Sequence, residues 1–362
     1  MKVLVNIFAL AVLGFPALTL AAPPKCDGEL PSPGNGNGTS SEAKFVIDAA
    51  KSQLGSSIEG AATDKTGNFY TANFGNDTDK NTIAMLNVDG TLSLAYKDNN
   101  NETWFNSIRT MKSGTADGDF VMFAGDVTGH RVVKIEGLAS GNPTASDFCK
   151  DSKMLQPNDM ALSSDGNLYL SGMNYTETSE VGNGDLWWCK ADGKAAPLDK
   201  LHRANGIEVS SDNKYLYLSE AVNVGGAVTE NRIMRYEIDA ETGVKLENKA
   251  AKKTVFVDFK KLDQTEATDI DGMRCDKDGN LFVTRNGLGA ITVFSPDGSL
   301  KSNITVPGMK SVKNLEFSGA DGKVLHIVGN CDKAEGEDEA TPAKGCIATW
   351  THEAEGLEWS QL

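Results

Sequence analysis

The signatures of several common enzyme classes are missing from this chain of 362 residues. It contains no G-x-S-x-G nucleophile elbow, no P-loop, no H-E-x-x-H motif and no EF-hand loop. Histidine is scarce, with four residues at spacings that do not suit a metal site, and the six cysteines form no C-x-x-C pair. A zinc site built from cysteine and histidine is therefore not expected.

Positive charge is also in short supply. The chain has 35 Lys and Arg residues against 50 Asp and Glu residues, and its formal net charge is −15. An acidic surface repels phosphate backbones, so nucleic acid is not an expected partner.

The chain does have a repeated pattern: a polar residue, a short strand, a turn rich in Asp, Gly and Asn, and a second apolar strand. Each copy predicts a β-hairpin. The copies begin, in chain order, at Glu59, Asn106, Asn158, Asn205, Asp271 and Asn314. These starts lie 47, 52, 47, 66 and 43 residues apart, which is close to the period of four-stranded propeller blades.

We therefore predict an all-β fold, a six-bladed β-propeller with four-stranded blades. The length alone suggests two domains. However, one blade cannot bury both faces of its sheet, so residues 42–362 are expected to form one propeller domain. Lys44-Phe-Val-Ile-Asp48 precedes the first hairpin and is predicted to supply the outermost strand of the last blade, which would close the ring and protect a sheet edge.

The N-terminus has the features of an export signal. A basic start is followed by an apolar run to about Leu20 and by the small residues Ala21-Ala22, so residues 1–22 are predicted to be a secretory signal peptide. A transmembrane anchor is the alternative, which Asn6, Gly14 and Pro16 in the run disfavour. Residues 23–41, rich in Pro, Gly, Ser and Asn, are predicted to be a flexible leader.

Five N-glycosylation sequons agree with export through the secretory pathway. They begin at Asn37, Asn76, Asn101, Asn174 and Asn303. We expect a secreted, extracellular glycoprotein that is monomeric and has no membrane anchor in its mature form.

Cysteines in an oxidising compartment are expected to form disulfides. Cys331 and Cys346 bracket a polar loop in the last repeat, and a bridge is expected there. Cys149 and Cys189 lie in adjoining repeats and are able to pair. The cysteines without an expected partner are Cys26 and Cys275, the latter a buried thiol in mid-strand.

The first residue of each repeat is the candidate site. Equivalent positions at the start of each innermost strand face the same mouth of a propeller's tunnel, so Glu59, Asn158, Asn205 and Asp271 are expected to converge. Two carboxylates and two amide carbonyls are hard oxygen ligands that suit Ca²⁺, Mg²⁺ or Mn²⁺. In a single hairpin, turn formation would be the better explanation of such a residue, but four blades around one ring each offer an oxygen ligand. The remaining starts, kept as candidate lining residues, are Asn106 and Asn314.

These stretches resemble the signature motifs of the senescence marker protein, regucalcin and gluconolactonase family. The motifs are Glu59-Gly, Pro157-Asn158-Asp159 with Asp165-Gly, Asn205-Gly-Ile with Leu216-Tyr, and Asp271-Gly-Met with Asp276 and Gly279-Asn. The resemblance implies a calcium-binding six-bladed propeller that hydrolyses sugar-acid lactones. By position, it implies that Glu59, Asn205 and Asp271 bind the cation, that Asn158 holds the substrate or joins the metal site, and that Asp271 is also the general base.

The expected function is therefore that of a secreted, metal-dependent lactone hydrolase acting on a small-molecule lactone. One divalent cation, Ca²⁺ first with Mg²⁺, Mn²⁺ or Zn²⁺ as alternatives, would polarise the lactone carbonyl and stabilise the developing oxyanion. The carboxylate of Asp271 would accept the proton of the attacking water.

One departure from the family pattern changes a residue that is expected to contact the substrate. Animal members carry Arg two residues before the position of Asn158, whereas this chain has Gln156, a neutral and shorter substrate-binding candidate.

The nearby aromatic residues are expected to pack between blades rather than to line a pocket. They are Phe74, Tyr175, Trp187 and Trp188. Two other functions stay open: a non-catalytic secreted propeller that binds a sugar or a protein around a structural metal, and a strictosidine-synthase-like propeller, which would need a glutamate base that the sequence does not identify.

Overall fold

The computed structural model describes residues 41–75, 78–114, 118–263, 269–334, 336–338 and 340–362. In that part of the chain, six antiparallel sheets follow one another in a ring, which confirms the predicted six-bladed β-propeller. None of the helices in these ranges is long and apolar enough to cross a membrane. The predictions that lie outside the described residues are the signal peptide (1–22), residues 23–40 of the leader, Cys26, Asn37 and Asn76.

The chain enters the ring through two short strands, β1 (Ser41–Glu42) and β2 (Lys44–Ile47). Each of the first three blades then consists of four consecutive antiparallel strands, from the tunnel outward. Blade one is β3 (Ala61–Thr63), β4 (Phe69–Ala72), β5 (Thr82–Leu86) and β6 (Leu92–Lys97). Blade two is β7 (Phe105–Lys112), β8 (Phe120–Asp126), β9 (Arg131–Glu136) and β10 (Thr144–Lys150). Blade three is β11 (Pro157–Leu162), β12 (Leu168–Met173), β13 (Gly184–Cys189) and β14 (Ala195–Leu201).

Blade four carries an insertion, which accounts for the longest spacing between repeats. Its strands are β15 (Arg203–Val209), β16 (Tyr215–Val224), β17 (Ala227–Asp239), the short β18 (Gly243–Val244) and, after the hairpin β19 (Leu246–Glu247) and β20 (Ala250–Ala251), the outer strand β21 (Lys253–Asp258). A single-turn helix, α1 (Phe259–Leu262), leads to the next blade.

The last two blades complete the ring. Blade five is β22 (Asp269–Cys275), β23 (Leu281–Asn286), β24 (Ala290–Phe294) and β25 (Leu300–Thr305), with β1 added in parallel to β25. Blade six is β26 (Ser311–Ser318), β27 (Val324–Asn330) and β28 (Gly345–Thr351), and a short helix, α2 (Leu357–Gln361), ends the chain. The predicted N-terminal closure is confirmed, because β2 pairs antiparallel with β28 as the outermost strand.

The core lies between blades rather than within them. Buried apolar residues form six clusters, and each cluster joins one blade to the next around the ring. Successive side chains of a strand point to opposite faces of the sheet, which produces this pattern. In β13, Trp188 packs toward blade four while Trp187 packs toward blade two. The expected packing role of both tryptophans is thus confirmed, and each blade depends on both neighbours to bury its faces.

The described residues contain two disulfides, at the two cysteine pairs named in the sequence analysis. One links Cys331 to Cys346 across the loop between β27 and β28, and the other links Cys149 of blade two to Cys189 of blade three. Cys275 is a buried free thiol, as expected.

Candidate active site

The starts of the repeats meet at one mouth of the tunnel. The amide N–H of Gly60, next to Glu59, donates a hydrogen bond to the carbonyl oxygen of Asn106 at 2.8 Å. The Asn106 side chain in turn donates through Nδ2 to the carbonyl oxygen of Asn158 at 2.9 Å. Blades one, two and three are therefore connected at the residues that begin their repeats.

On the other side of the ring, neighbouring inner strands approach each other closely at two glycines. A Cβ atom on Gly206 would lie 1.8 Å from the carbonyl oxygen of Asp271, and one on Gly272 would lie 2.3 Å from Oδ1 of Asn314. Only glycine permits such close approach of neighbouring inner strands. The Asn-Gly and Asp-Gly pairs of the sequence thus hold blades four, five and six together at the mouth.

Lys313 closes this circle by contacting Glu59. Its Nζ lies 2.9 Å from Oε1 of Glu59 and donates a second hydrogen bond to the carbonyl oxygen of Ser56 at 3.2 Å. Burial raises the pKa of the Glu59 carboxyl, while the neighbouring Lys313 ammonium acts in the opposite direction. The sequence pattern singled out Asn314 and passed over the lysine directly before it.

Asp271 and Asn205 are both largely buried at the mouth, with 8% and 7% of their surfaces exposed. Oδ2 of Asp271 accepts a hydrogen bond from Nδ2 of Asn286 at 2.9 Å, which orients the carboxylate. Oδ1 of Asn205 is buried and has no hydrogen-bond partner among the described residues. A buried carbonyl oxygen without a donor is unfavourable unless a ligand satisfies it.

These donors fit a hard divalent cation in their chemistry. The carboxylates of Glu59 and Asp271 and the unpartnered amide oxygen of Asn205 are the ligand types that Ca²⁺ prefers. Asn158, half-buried at the same mouth, is a fourth oxygen donor. The described residues contain no metal-binding group of three or more His, Cys, Asp or Glu side chains, as expected for a set that is half amide.

Gln156 lies beside the mouth but its side chain is engaged by its own blade. Nε2 of Gln156 donates a hydrogen bond to the carbonyl oxygen of Met173 at the end of β12. A guanidinium is nevertheless present nearby, because Arg203 stands two residues before Asn205 in blade four. Its Cζ lies 5.3 Å from the ring centroid of Tyr175, which is 62% exposed in the loop 174–183. Tyr175 is therefore a surface residue rather than the blade-packing residue expected from the sequence.

Below the mouth, the tunnel contains a buried network of charged side chains that the repeat pattern did not predict. Arg274 Nε lies 2.7 Å from Oε2 of Glu316, and Arg274 NH1 lies 3.9 Å from Oε2 of Glu208. Arg109 NH2 lies 3.5 Å from Oδ1 of Asp159. Arg109, Glu208 and Arg274 each follow a repeat start by three residues, a position that is charged in half of the six repeats.

Helix α2 covers the opposite mouth of the tunnel. Oε1 of Glu358 accepts hydrogen bonds from the amide N–H and the hydroxyl of Thr110 at 2.9 and 2.7 Å, and Oε2 lies 3.6 Å from Nε of Arg109. On the other side of the helix, Nζ of Lys65 lies 3.5 Å from the ring centroid of Trp359. Helix α2 therefore packs on the inner strands at the end of the tunnel away from Glu59 and Asp271.

Comparison with known proteins finds lactonases among the relatives of this chain. A gluconolactonase from Zymomonas mobilis subsp. mobilis is 26% identical over 206 residues, 54% of each chain. The lactonase drp35 from Staphylococcus haemolyticus is 26% identical over 172 residues, 47% of this chain and 46% of the relative. The chain spans about half the length of the curated relatives it matches.

Solved structures share the fold at lower identity. Regucalcin from Agrobacterium tumefaciens, described as a calcium-binding protein, superimposes with a TM-score of 0.64 at 20% identity, covering 88% of this chain and 97% of that one. A gluconolactonase from Xanthomonas campestris gives a TM-score of 0.58 at 16% identity, covering 87% of this chain and 97% of that one. At these identities the likeness shows the six-bladed fold.

The family assignment rests on a longer match. The profile of the SMP-30/gluconolactonase/LRE-like region matches residues 95–329, which is more than half of the chain and includes five of the six repeat starts. The resemblance seen in the motifs is thereby confirmed: the chain belongs to the SMP-30/gluconolactonase/LRE-like family.

Proposed function

We propose that this protein is a secreted, divalent-cation-dependent hydrolase of small-molecule lactones. The observation that carries the proposal is the buried, unpartnered Oδ1 of Asn205 at the same tunnel mouth as the carboxylates of Glu59 and Asp271. Membership of a family that includes gluconolactonases supports the reaction class.

The cation would be held by Glu59, Asn205 and Asp271, with Asn158 as a further ligand or a substrate contact. When bound, a divalent cation supplies polarisation of the lactone carbonyl and stabilises negative charge on its oxygen. The partial burial of these side chains strengthens their electrostatic interactions with a ligand, because the local dielectric constant is lower than in water.

The proton transfer is assigned to Asp271. Its carboxylate accepts the proton of the water that attacks the lactone, and Asn286 positions the group by donating to Oδ2. Ring opening releases a hydroxy acid, so a base is needed at the water while the departing ring oxygen recovers a proton. After taking the proton of the attacking water, Asp271 can return it to the departing ring oxygen, which balances the step.

The test is acid release from a panel of sugar and aliphatic lactones by the purified protein, with and without a chelator. Asp271→Asn keeps an oxygen ligand and removes the base, so we expect turnover to fall at least about 100-fold while calcium binding, measured by calorimetry, persists. Asp192→Asn, at an exposed Asp paired with Lys194, is the matched control and should retain full activity.

A second candidate function is favoured by the contact between Lys313 and Glu59. That ion pair neutralises one ligand without any metal, as a non-catalytic propeller that binds a sugar or a protein would permit. Absence of turnover on every lactone, in a protein that binds calcium, would select this alternative over hydrolysis.

The secreted location is part of the proposal and rests on the N-terminal sequence and the sequons. Asn101 and Asn174 are exposed and are the expected glycan acceptors. Asn303 lies in β25 with 3% of its surface exposed, so its sequon is expected to stay unmodified in the folded protein. Glycopeptide mapping of protein secreted from eukaryotic cells checks this pattern.

A further inference from the structure

Lys313 is a candidate-site residue that contacts a proposed ligand and whose charge opposes the binding of a cation. It precedes Asn314 on β26, only 15% of its side chain is exposed, and its Nζ lies 2.9 Å from Oε1 of Glu59. The carbonyl oxygen of Ser56, which also accepts from Nδ2 of Asn330 at 2.9 Å, holds the ammonium from the other side.

The Lys313 ammonium contacts the carboxylate of Glu59, which the cation would also need as a ligand. Glu59 and Asp271 together carry two negative charges, and Lys313 returns one positive charge to the same mouth. A divalent cation bound to Glu59 would therefore face a neighbouring like charge, or would have to displace the ammonium from Oε1. Both arrangements weaken binding relative to a site with a neutral residue at this position.

We infer that Lys313 is an affinity-determining residue that competes with the divalent cation for Glu59. This inference rests on the proposed cation site. The ammonium keeps Glu59 paired when no cation is bound, since a buried carboxylate without a partner would be costly. When a cation binds, the carbonyl oxygen of Ser56 remains as an acceptor for the displaced ammonium.

The experiment is isothermal titration of CaCl₂ into the full chain, comparing wild type with Lys313→Met and Lys313→Gln. Removing the positive charge is expected to lower the dissociation constant for Ca²⁺ at least about tenfold in both variants. Lys134→Met is the matched control, because Lys134 forms a 2.8 Å ion pair with Glu136 on β9, away from the mouth, and its loss should leave calcium affinity unchanged.

The outcomes separate the inference from the proposed function. Equal calcium affinity in wild type and both Lys313 variants would overturn the competition while leaving the cation site in place. Failure of wild type and variants alike to bind calcium would overturn the cation site itself, and the inference with it. Near-UV circular dichroism checks folding, and Lys313→Gln, which retains an N–H donor for the Ser56 carbonyl, decides the matter if Lys313→Met unfolds.

Discussion

At the level of single residues, the proposed substrate-binding end of the site differs from the family pattern in the position of one guanidinium. Gln156, where animal members carry Arg, donates its amide to Met173 of its own blade. Arg203 occupies the equivalent place one blade later, two residues before Asn205, and its guanidinium faces the Tyr175 ring. Arg203 is 4% exposed at the start of β15, and we propose that its guanidinium offers a polar lactone the charged donors that Gln156 lacks.

Replacing Arg203 should therefore affect substrate binding more than cation binding. For Arg203→Met we expect KM for a sugar lactone to rise about tenfold or more, the usual effect of losing a charged hydrogen bond, with a smaller change in calcium affinity. Steady-state kinetics and calcium calorimetry measure the two effects separately.

Arg235→Met is the control for this prediction. Arg235 also lies over a tyrosine ring, that of Tyr215 at 4.7 Å, but it belongs to the part of β17 far from the mouth. If Arg203→Met and Arg235→Met altered KM equally, Arg203 would have no special contact with the substrate.

The sequence identified the candidate ligands of the proposed cation, whereas the charged and polar residues that contact them were not predicted. Glu59, Asn205 and Asp271 could be identified from the sequence because each begins a repeat, and the repeats place equivalent residues at one mouth of the tunnel. Lys313 and Asn286 could not be identified in this way. Lys313 of blade six contacts Glu59 at the start of blade one, and Asn286 on β23 contacts Asp271 on the neighbouring strand β22. Single-repeat patterns contain no information on such contacts.

At the level of elements, α2 is stabilised by contacts that change with pH. Burial raises the pKa of Glu358 to about 8 and that of Glu208 to about 7. Glu316 adds to the shift of both groups, while Arg109 and Arg274 oppose it. In the unfolded chain both carboxyls would titrate near 4.5, so the folded protein binds more protons from about pH 4.5 to 8. Its stability consequently falls as the pH rises through this range.

Removing the charge of Glu358 should reduce the loss of stability that accompanies rising pH. Glu358→Gln keeps an oxygen to accept from Thr110 but does not ionise, and each ionising group contributes up to about 1.4 kcal/mol per pH unit. We therefore expect the unfolding free energy of Glu358→Gln to decrease by about 2 kcal/mol less than that of wild type between pH 6 and pH 8. Urea titrations at both pH values give this difference.

The control substitution lies just before the same helix. Glu355 is partly exposed and forms a 3.7 Å pair with Lys277, and Glu355→Gln should follow the wild-type pH dependence. A parallel pH dependence in wild type and Glu358→Gln would mean that Glu358 is not the group that couples α2 to pH.

The strands themselves were largely predictable, and the insertion in blade four was not. Asp-Gly and Gly-Asn turns between alternating apolar residues mark each hairpin locally, as in Asp165-Gly166 between β11 and β12. The segment from β18 to β20 instead lengthens one repeat with local hairpins whose two-residue strands are too short to show an alternating pattern. The charge network in the tunnel was missed because its ion pairs join side chains from separate blades, and only half of the repeats carry a charged residue three positions after their start.

At the level of the whole molecule, the ring is closed by residues from both ends of the described chain. Ile47, 4% exposed on β2, belongs to one cluster with Val328 and Ile347 of blade six, Leu54, which precedes blade one, and Phe69 of blade one. This cluster is the only one of the six that contains the first and last blades together. Its loss would leave two blade faces and the edge of β28 exposed to water.

Deletion of residues 1–47 tests how far the fold depends on this closure. We expect it to lower the unfolding free energy by more than the roughly 2–5 kcal/mol of an Ile→Ala substitution at a buried site, because a strand pairing is lost together with the Ile47 side chain. Association through the exposed β28 edge should accompany the loss. Urea unfolding and size-exclusion chromatography measure the two effects, and deletion of residues 1–40, which retains β1 and β2, is the control. Equal stability of the two truncated proteins would mean that the contacts between blades one and six hold the ring without the N-terminal strand.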